Sequence, residues 1–179
     1  MKKDILVAYA STNGATAEIA TKIGSMLKNQ DLVVDVLPVS AKPDPKQYKA
    51  AILGCAVYAG SWPKGSVEFL KANESAFAGQ PFWLFSTGPT GEGDPVELLE
   101  GWRVPSNAME IVERIHPRDV TIFGGFIDAT KVRGIQAFVI KKMNKPFGDF
   151  RNWDAIAAWA QEIASSVKNQ ASLAGAADD

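Results

Sequence analysis

With one cysteine, Cys55, the chain has no partner for an intrachain disulfide, and with one histidine, His116, it has too few ligands for a multi-ligand zinc site. So little cysteine suits a reducing compartment. No apolar run approaches the roughly 18 residues that a membrane span requires. The first apolar run, 5–10, follows Lys2-Lys3 but is too short for a secretory leader and leads straight into a polar turn. Charge of one sign is also missing: the formal net charge is -1, so no global field points to nucleic acid or to a membrane. A cytoplasmic chain with no metal and no nucleic-acid partner is the expectation.

Two nucleotide signatures are absent as well. The first loop has no lysine or arginine from Ser11 to Thr21, unlike a GxxxxGK[ST] triphosphate loop, and it lacks the GxGxxG dinucleotide pattern. What remains is ordinary globular material. The 179 residues are 46% hydrophobic and 22% charged, enough for one domain with a core of normal size.

Short apolar, β-branched runs at 5–9, 32–37, 51–57, 82–86 and 120–126 alternate with helical periodicity. Several are apolar on consecutive residues, as strands covered on both faces are. Ile19, Ala20, Ile23, Met26 and Leu27 mark one helix, and Val67, Phe69, Leu70 and Phe77 outline a second. A third spans 108–115, with Ser106 or Asn107 able to cap it. In the last, Ile156, Trp159, Ala160, Ile163, Ala164 and Val167 form one stripe behind a capping Asn152. The domain is expected over 1–167, with an insertion at about 128–152 and a disordered tail over 168–179. Alternating strands and helices imply a parallel α/β sheet, which binds ligands at the carboxyl ends of its strands.

The loop after strand one reads Ser11-Thr12-Asn13-Gly14-Ala15-Thr16 and opens the first helix. A helix start offers unpaired N–H groups and the positive end of the macrodipole, so a phosphate fits there without a metal. Gly14 lets the backbone curl close, while Ser11, Thr12, Thr16 and Asn13 can donate to a dianion. The plainer alternative is that Thr12 or Asn13 merely caps the helix. Strand three ends in Tyr58-Ala59-Gly60-Ser61-Trp62, aromatic residues beside small ones, suited to a flat ring. Trp62 fits equally a role in packing over the next helix. Strand four ends in Ser86-Thr87-Gly88-Pro89-Thr90-Gly91-Glu92-Gly93-Asp94-Pro95, a glycine-rich loop with an acidic tip that fits equally a mobile surface loop from Glu92 to Pro95. Thr87, Gly88 and Pro89 lie nearest the strand and are its better contacts, with Ser86 and Gly91 at either side.

The first loop resembles the phosphate-binding pattern of flavodoxins, [ST]-x-[TND]-G-x-[TS], in its usual place between strand and helix. The resemblance implies a three-layer sandwich with a five-stranded parallel sheet in the order 2-1-3-4-5 and helices on both faces. It implies an FMN cofactor, with Ser11, Thr12, Asn13, Gly14, Ala15 and Thr16 on the phosphate and the other two loops on the flavin ring. Electron transfer to a redox partner protein or a quinone follows.

Further matches run through Gly54-Cys55-Ala56-Val57, Val67-Glu68-Phe69-Leu70-Lys71, Phe123-Gly124-Gly125-Phe126 and Asn152-Trp153-Asp154-Ala155-Ile156. They resemble the menaquinone-dependent protoporphyrinogen oxidase branch and its flavodoxin-domain relatives, over residues 2 to about 167. A quinone-linked oxidoreductase is therefore the alternative to a carrier, and a flavin-free interaction module on the same fold is the other. The insertion carries Lys131, Arg133, Lys141, Lys142, Lys145 and Arg151 against Asp128 and Asp149, a formal charge of +4. Interleaved apolar residues make 131–151 a candidate for peripheral contact with the inner face of a membrane, or for a helix packed on its own domain. No acid–base residue is assigned, because flavin chemistry can proceed on the cofactor. Cys55 is expected in the core, and His116 on the face away from the ligand.

Overall fold

The structure, a computed structural model, describes residues 2–128, 130 and 146–175. Five parallel strands form one sheet: β1 (Lys3–Ala10), β2 (Val34–Pro38), β3 (Tyr48–Ala56), β4 (Phe82–Thr87) and β5 (Asp119–Phe123). Their order is β2-β1-β3-β4-β5, as expected. The α-helices among the described residues are α1 (Ala15–Lys28), α2 (Lys64–Ala72), α3 (Glu74–Ala78), α4 (Ser106–Ile115) and α5 (Trp153–Gly175).

Strand pleating divides the core into two layers, because successive side chains leave opposite faces. Ile5 and Val7 of β1 join Ile52, Phe85 and Phe123 beneath α1 and α5. Leu6, Ala8 and Ala10 join Leu53, Cys55 and Leu84 beneath α2, α3 and α4. Strands with both faces covered have no polar alternation, which explains their unbroken apolar runs. Cys55 is fully buried, and burial pushes its thiol pKa up to about 12, so it packs as a small apolar residue.

Several boundaries differ from expectation. The second helix breaks at Asn73, whose side-chain amide donates to the Phe69 carbonyl and competes with the helix backbone. Pro105, not Ser106 or Asn107, precedes α4, and no side chain caps that helix. Asn152 does cap α5, accepting from the Ala155 N–H at 3.0 Å. The last helix runs on to Gly175, so helical hydrogen bonding outlasts the apolar stripe that ends at Val167. Strand β5 stops at Phe123, and after the two glycines β6 (Phe126–Ile127) pairs antiparallel with β7 (Gly148–Asp149). Of the basic segment, 131–145 lies outside the described residues.

At the amino ends of the strands, away from the loops of interest, Asp35 of β2 accepts from Lys3 Nζ (2.7 Å) and Tyr48 Oη (2.6 Å). Burial, then the Asp35 carboxylate, pushes the Tyr48 pKa up to about 12, against roughly 10 for an unperturbed tyrosine. A raised folded pKa gives stability that is fully present below about pH 10 and is lost as pH rises through about 12. Tyr48→Phe is therefore expected to cost about 1 kcal/mol at neutral pH and to remove this part of the alkaline decline. Urea unfolding from pH 7 to 12 checks both; parallel curves for the two proteins would count against the pairing.

Candidate functional site

The loops after β1, β3 and β4 converge at the carboxyl ends of the sheet, where the order reverses between β1 and β3. Gly14 enters α1 at φ 91°, a left-handed conformation that glycine adopts without strain, and its N–H donates to Ser11 Oγ at 3.1 Å. No side chain caps α1, so the capping role of Thr12 or Asn13 is not used. Glu18 N–H is bonded to the Gly14 carbonyl, and the N–H groups of Ala15, Thr16 and Ala17 have no acceptor within the helix. A Cβ built at Gly14 would meet open space, so a ligand can approach the backbone there. Thr12 and Asn13 are exposed beside it.

Thr16, by contrast, is buried. Its hydroxyl meets that of Thr87 at 2.6 Å, tying the start of α1 to the end of β4. The sequence suggested both residues as ligand contacts, and the structure shows them joined to each other.

The β3 exit is a tight turn in which Tyr58 and Ser61 exchange two backbone hydrogen bonds of 2.9 Å. Ala59 (φ 46°) and Gly60 (φ 73°) occupy its left-handed centre, a geometry that normally favours glycine at both positions. A non-glycine residue held there marks a constrained site. The turn presents Tyr58, 40% exposed.

Trp62 is 2% exposed, with Nε1 donating to Ser86 Oγ at 3.0 Å. Ser86 Oγ in turn donates to the Arg103 carbonyl, and Asn107 grips the backbone of Trp62 through both its amide atoms. The packing role therefore describes Trp62, and the Ser86 hydroxyl serves that scaffold. Neither side chain offers a free face.

The loop after β4 is held by close backbone packing. Val57 N–H donates to Thr87 O (2.7 Å), Gly88 N–H to Phe123 O (3.3 Å), and Gly125 N–H to Pro89 O (2.8 Å). A Cβ on Gly88 would press on Val57 at 3.0 Å, and one on Gly125 on the Gly88 carbonyl at 3.0 Å. Thr90, absent from the expected contacts, is 6% exposed and its hydroxyl has no partner among the described residues. A buried, unpaired hydroxyl is costly and calls for a partner.

Beyond Gly91 a groove of about 570 Å³ separates residues 91–93 from 149–154. Its far wall holds Arg151, which sequence reasoning placed only on a basic surface. The side chain is 5% exposed and bonded to Asp149 and Glu18, so its charge is spent inside the fold and is not available to a membrane. The Arg151 hydrogen bonds hold the Asp149 carboxyl below the ordinary carboxylate range. The basic residues at 131–145 lie outside the described residues. His116 ends α4 on the opposite side of the sheet from the converging loops. Among the described residues no group of three His, Cys, Asp or Glu could hold a metal, and no helix is long and apolar enough to cross a membrane.

Comparison with known proteins places this geometry. The family model described as "Flavodoxin domain" matches residues 6–153. The chain is 21% identical over 170 residues to protoporphyrinogen IX dehydrogenase [quinone] of Escherichia coli (strain K12), covering 89% of this chain and 93% of that protein. Among solved structures, a flavodoxin from the domain Archaea superposes with a TM-score of 0.63 at 13% identity, over 92% of this chain and 99% of the other. Oxidised flavodoxin 2 from Bacillus cereus gives 0.55 at 19% identity, over 93% and 99%. At these identities the superpositions speak for the fold, while the family match covers most of the chain and includes all three converging loops. The chain belongs to the flavodoxin-domain family.

Proposed function

We propose that the protein binds one FMN noncovalently and acts in electron transfer. The observation that carries this reading is the start of α1: free backbone N–H groups, neutral hydroxyl and amide donors, and no lysine or arginine from Ser11 to Thr21. That donor set fits a terminal phosphomonoester. The residues that would hold the phosphate are Ser11, Thr12, Asn13, Gly14, Ala15 and Thr16, with the Thr16–Thr87 pair fixing the cradle to β4. Tyr58, Ala59, Gly60 and Ser61 would form one side of the ring site, and Thr87, Gly88, Pro89 and Gly91 the other. The unpaired Thr90 hydroxyl supports a polar ligand at that loop. Bound FMN supplies reversible acceptance of electrons, and the surrounding backbone tunes its potential.

The test is an FMN titration followed by visible absorbance and flavin fluorescence. One equivalent bound supports the proposal; a colourless protein that takes up no FMN refutes it. Tyr58→Ala is expected to weaken FMN about three- to tenfold, the value of one lost aromatic contact. An unchanged affinity would remove Tyr58 from the ring site.

The likeness to the Escherichia coli enzyme, spanning nearly both chains, favours a quinone as the second reading for the electron partner. Anaerobic reoxidation of the reduced protein separates the cases: rapid reaction with a quinone supports a quinone-linked oxidoreductase, and reaction only with a redox protein supports a carrier. Peripheral contact through 131–151, proposed from the basic and apolar residues interleaved in its sequence and without a contribution from Arg151, is tested by co-flotation with anionic vesicles; no flotation would overturn it.

A further inference from the structure

Arg151 combines hydrogen bonds from its guanidinium with cation–π contacts to two rings. Nε and Nη2 hold the two oxygens of Asp149 at 2.7 and 2.6 Å, and Nη1 holds Glu18 Oε2 at 2.7 Å. The guanidinium also stands over two rings: Cζ is 4.8 Å from the Phe126 ring centre and 4.5 Å from that of Trp153. One side chain thus joins α1, β6, β7 and α5. Arginine suits this position because its planar fork binds a carboxylate through two donors while its faces stack on rings.

The electrostatic setting gives the contact a second meaning. Glu18 lies in the first turn of α1, and its N–H closes the first bond to Gly14. A carboxylate there suits a bare helix end, but it opposes a second anion at the same end. Residues 11–21, 58–62 and 86–94 contain no lysine or arginine. Among the described residues, the cation that reaches Glu18 is Arg151, from 133 positions away in the chain.

We propose that Arg151 is a positioning and charge-compensating residue for the phosphate end of the cofactor, its contact with Glu18 keeping the start of α1 receptive to a dianion. The proposal rests on the FMN reading above. It makes Arg151 a determinant of the choice between phosphorylated and unphosphorylated flavin, not a contact of either.

The experiment compares FMN and riboflavin affinities, by fluorescence quenching, in the wild-type chain and in R151M, R151K, E18Q and R151M/E18Q, with apoprotein melting recorded for each. R151M is expected to weaken FMN at least about tenfold and riboflavin less than about threefold, because only the phosphate carries the charge being opposed. Adding E18Q to R151M restores most of the FMN affinity. R151K, which keeps the charge and loses the fork and the stacking, falls between. E18Q alone alters a side chain that is 55% exposed, so it does not depend on the core tolerating a change. It tightens FMN about two- to fivefold and leaves riboflavin alone.

Parallel loss of both flavins in R151M, or failure of E18Q to shift FMN in either background, overturns the proposal and leaves Arg151 a structural clasp. A wild-type chain that binds riboflavin but gains nothing from the phosphate also overturns it. A wild-type chain that binds neither flavin refutes the cofactor reading itself, and this proposal falls with it.

Discussion

Gly54→Ala is expected to destabilise the protein by about 3 kcal/mol, the upper part of the range for overpacking a close-packed core. Strand propensity predicts the opposite sign, since glycine in a strand interior is the poorer choice by roughly 0.5–1 kcal/mol. The difference lies in what stands over the residue. Gly54 pairs with Tyr9 on one side and Phe85 on the other, in the centre of the sheet. A Cβ at Gly54 would clash with the Cζ edge of the Phe85 ring. That ring cannot swing aside: it is fully buried, 5.7 Å from Phe123 and 5.9 Å from Trp159 of α5. Urea unfolding of the variant should show a midpoint lowered by about 1.5 M, given a slope near 2 kcal/mol/M. Phe85→Leu removes the obstructing ring, so G54A/F85L should lose less than the sum of the two single variants. A G54A protein within 0.5 kcal/mol of wild type would show that the ring relaxes freely and would sink the packing account.

That example shows what was legible in the chain and what was not. The parallel sheet and the loops that converge could be read because strands covered on both faces are written as consecutive apolar residues, and because each strand exit concentrates small and polar residues; the strand order was implied by the resemblance that Ser11 to Thr16 carry, not by the apolar runs. The reason for Gly54 could not be read, since the ring that occupies its Cβ position arrives from a neighbouring strand. Trp62 was balanced between ligand and core on local pattern; the decisive partner is Ser86, whose hydroxyl satisfies the indole N–H inside the fold. A lone serine in the aromatic strand Phe82–Thr87 was the available signal, because a buried hydroxyl requires a partner. Asn73 was a similar signal for the break between α2 and α3. Arg151 was counted as surface charge because its partners, Glu18 and Phe126, are far from it in sequence.

The same separation of local from distant effects gives Ser11→Asp two results of opposite sign. In the protein without ligand, the new carboxylate can accept from the Gly14 N–H, as the Ser11 hydroxyl does at 3.1 Å. It also places a negative charge at the positive end of α1, so the apoprotein should gain about 0.5–1 kcal/mol. With FMN the effect reverses. Two unit charges 4 Å apart interact by about 4 kcal/mol at an effective dielectric constant near 20. A phosphate dianion doubles that figure, and exposure to solvent at Thr12 and Asn13 screens a good part of it. A net penalty of about 3–4 kcal/mol remains, which lowers FMN affinity roughly 100- to 1,000-fold. Riboflavin, without the phosphate, should bind S11D within a few-fold of wild type. Ser11→Asn, of the same shape without the charge, should leave FMN affinity nearly intact. Because the melting temperature of S11D should rise while FMN binding is lost, unfolding cannot explain the loss. FMN binding to S11D at wild-type strength would remove the phosphate from the start of α1, and with it the assignment of Ser11 to Thr16.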